Sequence, residues 1–199
     1  MVFHLIGASV LYPSAARGQD FALPIAKPLL ISQGAQPTAA WSRFCEQLAA
    51  ECEVDLQEPD IVRMTVATWN AMVAVNQEVN ATVFPVSDQD HWGIEDRWDY
   101  PEDGLGDCED IQLLKRRRLS ELGFPRRAMR MSVVVDRKGL GHAVLMILTD
   151  RGDFILDNKA DRVLPWNETG YLYVKREGSH GPDWVTFGAP ASPIVTANR

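Results

Sequence analysis

The hydrophobic pattern of this chain changes once, near Pro125, from the spacing of helices to the spacing of strands. Apolar residues recur at helical intervals before this point and form short runs typical of strands after it. Helices that come first and strands that follow, joined by short turns, favour an α+β fold over a doubly wound parallel sheet. We predict helices over 38–48, 60–80 and 108–122, a loop over 85–107, a hairpin turn over 150–153, and strands over 129–135, 143–149, 154–156, 171–175 and 184–187.

The length and composition of the chain are those of an ordinary globular protein. Its 199 residues are 46% hydrophobic and 24% charged, which is enough to bury a core without metal or disulfide support. The formal net charge of −7 disfavours bulk binding to nucleic acid or another polyanion. No apolar run reaches the ~18 residues that a membrane-spanning helix needs. We therefore expect an irregular lead-in over 17–37 and one folded domain over 38–199.

Residues 1–16 have features of a signal peptide. The apolar run 2–11 is broken by Pro13 and followed by small residues, although no basic residue precedes the run. This pattern predicts an exported protein, and a buried segment of a cytoplasmic protein is the alternative.

The pairing of two cysteines depends on the same choice of compartment. Cys45 and Cys52 can form a disulfide after export, or they can pack on one helix as two small hydrophobic residues.

Cys108 is the candidate nucleophile, because it follows a glycine-rich approach and opens an amphipathic helix. Asp107 is the predicted N-cap of this helix, and Asp110 completes a carboxylate variant of the capping box. At the first helical position, unpaired backbone N–H groups and the positive end of the helix dipole favour the thiolate, the nucleophilic form of cysteine. The alternative is a buried cysteine that only packs, which this position disfavours.

A thiolate nucleophile needs a base and a group that orients the base, and the predicted strands supply both. His142 stands at the mouth of a strongly apolar strand, where a general base could reach the thiol. The next strand ends in Asp157, which the predicted hairpin would place opposite Met146. A modest shift in register would bring Asp157 to His142, and Asn158 is the alternative orienting group.

Three short segments together carry a resemblance to a known family: Gly-Asp-Cys-Glu-Asp at 106–110, Gly-His-Ala-Val-Leu at 141–145 and Leu-Asp-Asn at 156–158. In this order, they are similar to the bacterial transglutaminase-like cysteine proteinases, which include the LapG-like periplasmic adhesin proteases. The resemblance covers about 37–188 and implies a papain-like core whose nucleophile helix packs on an antiparallel sheet. Ile111 departs from the aromatic residue expected there. The implied triad consists of Cys108, His142 and Asp157.

The segment 88–110 contains ten acidic residues and one arginine, so its net charge is −9. Such a field would raise the pKa of a nearby thiol unless a bound cation cancelled it. Hard carboxylate oxygens favour Ca²⁺ over Zn²⁺ as that cation. The LapG-like branch is calcium-dependent, and the resemblance implies that its metal ligands match Asp107 and Glu109 here. A solvated acidic loop is the alternative.

Seven basic residues balance part of this acidic charge. We interpret them as a solvated helix face, because neither interleaved aromatic residues nor a known nucleic-acid-binding motif accompanies them. Binding to nucleic acid is the disfavoured alternative. The seven are Lys115, Arg116, Arg117, Arg118, Arg126, Arg127 and Arg130.

Together these features favour a cysteine endopeptidase that acts on a protein or peptide substrate. Transfer of an acyl group from glutamine to an amine is one alternative, because it uses the same acyl-enzyme. A non-catalytic peptide-binding module is the other. The resemblance further implies a periplasmic location, a cell-surface adhesin as the substrate, and an inner-membrane receptor as a regulatory partner.

Overall fold

A computed structural model describes residues 22–187, so the predicted leader and the final part of the chain lie outside the described residues. Within this range five α-helices accompany nine strands, which confirms the α+β fold. The helices are α1 (Ala39–Gln47), α2 (Ala49–Cys52), α3 (Val66–Thr82), α4 (Asp88–Trp92) and α5 (Cys108–Glu121). The strands are β1 (Gly34–Ala35), β2 (Phe84–Pro85), β3 (Leu105–Gly106), β4 (Met129–Val135), β5 (Gly141–Thr149), β6 (Gly152–Asp157), β7 (Ala160–Pro165), β8 (Leu172–Glu177) and β9 (Trp184–Thr186).

Seven of the strands form one antiparallel sheet in the order β1-β9-β8-β4-β5-β6-β7, and β2 and β3 pair separately in parallel. The interior strand β5 is apolar without alternation because both of its faces are buried. Ala143, Leu145 and Ile147 belong to the main core beside α5, whereas Val144 and Met146 belong to a smaller core. The sheet therefore fixes the end of β5, where His142 lies, against the helical layer.

Helix α3 begins later than the sequence predicts. Thr65 is its N-cap and forms a capping box with Thr68, so the helix does not include residue 60. The preceding residues are held in extended form by the sheet, since Val62 bridges to Thr149 and the N–H of Met64 donates to Asp150 Oδ1 at 2.8 Å. Tertiary pairing thus outweighs the local helical pattern here.

The hairpin between β5 and β6 is tighter than predicted. Thr149 pairs with Gly152, so only two residues form the turn. Met146 consequently pairs with Ile155, and the predicted pairing of Met146 with Asp157 is wrong by two residues. Gly152 has a φ of +99°, and a side chain there would overlap the backbone of Ala26 in the lead-in. Strand β7, which follows β6, was not predicted from the sequence.

The predicted solvated basic face is wrong for three of its residues, because Lys115, Arg116 and Arg130 are each at most 1% exposed. Arg116 instead forms a buried ion pair with Glu177 on β8, with 3.0 Å between the charged atoms. Burial would raise the pKa of Glu177, but the neighbouring guanidinium groups outweigh burial and lower its pKa to about 2. This ion pair therefore links α5 to β8.

A disulfide joins Cys45 in α1 to Cys52 in α2, with their Cα atoms 5.6 Å apart. The disulfide alternative is therefore confirmed for this pair.

The predicted loop 85–107 contains α4 and β3 as well as the buried anchor Trp98. Among residues 22–187, no helix combines the length and apolar character needed to cross a membrane.

Candidate active site

Helix α5 begins at Cys108, as the sequence predicts, and Asp107 occupies its N-cap position in an extended conformation. The carboxylate of Asp107 makes no capping hydrogen bond, so its predicted capping function is wrong. A Cβ atom on Gly106 would lie 2.9 Å from the Cβ of Asp110. Only glycine therefore allows the chain to approach the first turn of α5 so closely, and this approach places Asp107 beside other acids.

The structure brings the three predicted triad residues to one end of β5. Cys108 Sγ accepts a hydrogen bond from the backbone N–H of Ala143 at 3.3 Å, next to His142 in the chain. His142 Nε2 lies 2.8 Å from Asp157 Oδ1. The second ring nitrogen of His142 is buried and makes no hydrogen bond within residues 22–187. Asn158, the alternative orienting group, instead lies against Gln112.

The register of the sheet explains why Asp157 reaches His142. Leu145 pairs with Leu156, and continuing this register by one pair would place Asp157 opposite Val144. Val144 is two residues from His142 and therefore on the same side of β5, at diagonal contact distance. The tight hairpin thus supplies the shift in register that the sequence alone left open.

The carboxylate of Asp157 is held by further hydrogen bonds that the sequence analysis missed. Its Oδ2 accepts from the hydroxyl of Tyr171 at 2.6 Å, and its Oδ1 also accepts from the N–H of Lys159 at 2.9 Å. Burial would raise the pKa of Asp157, but the hydrogen bonds from His142 and Tyr171 outweigh burial and hold the pKa below its ordinary value. Asp157 is therefore ionised at neutral pH.

The ring of Tyr171 also packs edge-to-face against the imidazole of His142, with 5.8 Å between the ring centroids. The position of Tyr171 just before β8 gives no local sign of this contact. The Gly-Tyr pair at 170–171 is the only sequence feature associated with it.

Helix α3 anchors the end of β6 through two asparagine side chains. Asn76 Oδ1 accepts from the backbone N–H of Asp157 at 3.0 Å and from Lys115 Nζ at 2.8 Å. Asn80 Nδ2 donates to the backbone carbonyl of Asp157 at 3.0 Å. Burial lowers the pKa of Lys115 to about 7. The backbone that carries Asp157 is thus fixed from the helical layer, independently of its contact with His142.

The thiol of Cys108 lies in an environment that opposes ionisation. It is 1% exposed, and it donates a hydrogen bond to Glu109 Oε2 at 3.1 Å. Burial, followed by the charge of Asp107, raises the pKa of Cys108 to about 12. The thiol of this arrangement is therefore protonated, and a positive charge near Asp107 and Glu109 would favour the thiolate.

Five of the ten acidic residues of 88–110 are gathered into a buried cluster. Carboxylate oxygens of Asp88, Asp96 and Glu109 lie within 4.8 Å of one another, and the same holds for Asp88, Asp107 and Asp110. Carboxylate oxygens on three of these residues are buried without a hydrogen-bond partner in the described part of the chain: Asp96 Oδ1, Asp107 Oδ1 and Glu109 Oε1.

This cluster fits a hard divalent cation, because buried carboxylates without partners are costly unless a cation compensates them. Burial raises the pKa of Asp96 and Asp107 to about 6 and that of Asp110 to about 8. The two predicted ligands, Asp107 and Glu109, are both in the cluster. Asp110, which the sequence predicts in the capping box, also belongs to the cluster. Asp88 and Asp96 join it through folding, and their only signal in the sequence is the acidic composition of this segment.

Solved structures of Legionella pneumophila LapG share this fold. One aligns with a TM-score of 0.50 and 25% sequence identity over 58% of this chain and 66% of that chain, slightly less than two thirds of its length. The calcium-bound form aligns with a TM-score of 0.52 and 20% identity over 79% of this chain and 87% of that chain. At that identity, the second likeness concerns the fold alone.

A comparison with curated protein sequences gives no match. The family model of the bacterial transglutaminase-like cysteine proteinases, in contrast, matches residues 31–191. This range includes Cys108, His142 and Asp157 together with the whole acidic cluster. With most of its length matched, this chain belongs to the family of bacterial transglutaminase-like cysteine proteinases.

Proposed function

We propose that this protein is a calcium-dependent cysteine endopeptidase in which Cys108 is the nucleophile, His142 the base and Asp157 the orienting group. The observation that carries the proposal is the convergence of these side chains at one end of β5, with 2.8 Å between His142 Nε2 and Asp157 Oδ1. Membership of the cysteine proteinase family supports the same assignment.

The reaction follows from this arrangement. His142 takes the proton of the Cys108 thiol, and the thiolate attacks the carbonyl carbon of the scissile peptide bond. His142 then passes that proton to the leaving amine, and a thioester acyl-enzyme remains. Water, losing a proton to His142, hydrolyses the thioester and restores the thiol. Asp157 keeps the imidazole in place and stabilises its charged form, while the N–H of Ala143 stabilises the thiolate.

Asp107 and Glu109 are the proposed calcium ligands, with Asp88, Asp96 and Asp110 as further oxygen donors. Bound calcium supplies positive charge beside the nucleophile and neutralises the acids that oppose ionisation of Cys108. The buried carboxylate oxygens without partners support this assignment. The description of a Legionella pneumophila LapG structure as calcium-bound agrees with it.

The proposal extends to location and substrate. The disulfide between Cys45 and Cys52 favours an oxidising compartment, for which the periplasm is our assignment. The LapG-like resemblance makes a cell-surface adhesin the expected substrate and an inner-membrane receptor the expected regulator. Mass spectrometry of exported proteins incubated with the purified protein and calcium tests the activity. New peptide N-termini would support hydrolysis, whereas incorporation of an added amine at glutamine would contradict it.

Asp157→Asn should lower kcat by on the order of 10²-fold, because an amide can still orient His142 but cannot stabilise its charged form.

Tyr171→Phe should lower kcat by about tenfold, because it removes one hydrogen bond to a buried carboxylate. Tyr173→Phe is the matched control, since its hydroxyl contacts Thr169 and not the triad. Steady-state kinetics measure all three variants. Equal losses in the two tyrosine variants would contradict the positioning role of Tyr171.

Calcium affinity should rise with pH between about 5 and 8. Burial raises the pKa values of Asp96 and Asp107 to about 6 and that of Asp110 to about 8, so metal-free protein holds protons there at low pH. Calcium requires ionised ligands and must displace those protons. Calorimetry in buffers of different ionisation enthalpy should find proton release on binding at pH 6 and much less at pH 9. An affinity that does not change over this range would contradict binding at this cluster.

A further inference from the structure

A cavity of about 240 Å³ lies against Asp157 and Tyr171 and is rimmed by basic side chains. It is bordered by the turn after β4, by strands β6 and β7 with the turn between them, and by the segment before β8. Cys108 and His142 do not line it, so it is separate from the reacting atoms. The cavity has no role in the proposed reaction. Its four cationic residues are Arg137, Lys138, Lys159 and Arg162.

Most of this positive charge has no ionic partner among the described residues. Lys159 pairs with Asp136 at 2.9 Å, but none of the ion pairs within residues 22–187 involves Arg137, Lys138 or Arg162. Two carboxylates, Asp136 and Asp157, also line the cavity and are ionised at neutral pH, so its four cationic residues leave the lining with a net charge of +2. In a chain of net charge −7, a cavity rimmed by unpaired cations favours an anionic ligand.

The side chain of Arg137 is oriented for such a ligand by a contact within the protein. Its Nε donates to the backbone carbonyl of Thr169 at 2.8 Å, which fixes the guanidinium against Gly170. The terminal nitrogens of the guanidinium make no ion pair with the described residues, and their planar fork matches a carboxylate. A carboxylate in this cavity would therefore meet one oriented arginine and two exposed cations.

The position of the cavity relative to His142 indicates where the carboxylate comes from. His142 gives a proton to the leaving amine, so the substrate residues that follow the cleaved bond lie on the histidine side of the thiol. Asp157 and Tyr171 both contact His142 and also line the cavity. We infer that the cavity is a specificity subsite for an Asp or Glu side chain within about three residues after the cleaved bond. This inference rests on the proposed proteinase activity.

A library of tryptic peptides from a bacterial proteome, digested by the calcium-loaded protein, tests the subsite. Mass spectrometry reads the residues that follow each cleaved bond. The test variant is Lys138→Gln/Arg162→Gln, because both side chains are exposed and make no hydrogen bond that the described fold requires. The control variant is Arg63→Gln/Arg151→Gln, which makes the same charge change at the opposite end of β5.

Wild-type protein and the control variant should both favour Asp and Glu after the cleaved bond. With synthetic peptides, kcat/KM should be about 30-fold higher for Glu than for Gln at that position, since Arg137 and the two exposed cations each contribute about threefold. The test variant, which retains Arg137, should keep only about a threefold preference and an unchanged rate on the Gln peptide, and high salt should weaken the preference of the wild type. Cleavage without acidic preference in the wild type, or a preference in the test variant as large as that of the wild type, would overturn the subsite alone. Absence of cleavage in all proteins would overturn the proteinase activity as well.

Discussion

Cys108→Ala is expected to reduce peptide cleavage to background, a loss of roughly 10⁶-fold in kcat. No other group in the proposed reaction can form the acyl-enzyme, and the N–H of Ala143 and Glu109 contact the sulfur directly. The fold should persist, because alanine is well tolerated in the first turn of a helix. Circular dichroism and thermal unfolding should therefore resemble those of the wild type while turnover is lost.

His142→Ala should be as severe as Cys108→Ala, and the double variant should be no worse than either single variant, because the two residues act as a unit. The control is His180→Ala, which alters an exposed histidine in the turn before β9 and should keep full activity. A thiol-reactive probe should label wild-type protein faster than His142→Ala. Turnover near that of the wild type in either single variant would refute the proposed mechanism.

Removal of calcium is expected to reduce cleavage to near background, and Ca²⁺ should restore it better than Mg²⁺. The buried carboxylates near Cys108 oppose its ionisation, and Mg²⁺ demands a stricter octahedron and gives up water reluctantly. Glu109→Gln should lower calcium affinity in a calorimetric titration of metal-free protein. Glu121→Gln, at the exposed end of the same helix, is the control and should bind calcium normally. An absence of binding at millimolar calcium, with activity indifferent to chelator, would contradict the metal site.

Asp107→Asn distinguishes an effect on calcium affinity from an effect on the stability of the fold. The N-cap position of Asp107 predicts a cost of ~1 kcal/mol when its side chain is replaced, but the structure has no capping hydrogen bond to lose. Instead, the variant removes a buried charge from a cluster of like charges. Metal-free Asp107→Asn should therefore unfold at an equal or higher denaturant concentration than the wild type, while its calcium affinity falls. Unfolding curves with and without calcium separate the two effects.

Local patterns predicted the elements whose sequence and environment agree. Strand β4 has the predicted bounds, and the apolar run at 143–149 predicted most of β5, which the structure buries on both faces. The start of α5 followed from the glycine-rich approach and the charged first turn. The helix predicted over 60–80 starts too early, because residues before Thr65 pair with the sheet. That pairing is not visible in the helical pattern of apolar residues.

The sequence by itself determined the candidate groups of the site: a cysteine at a helix start, a histidine opening a buried strand, a following aspartate, and an excess of acids. Only the tertiary structure decided how these groups meet. The two-residue turn before Gly152 sets the register that brings Asp157 to His142. Folding adds Tyr171 to that carboxylate and Asp88 and Asp96 to Glu109. These contacts join residues distant in the chain, and burial and charge pairing are properties of the packed molecule, so local sequence patterns do not encode them separately.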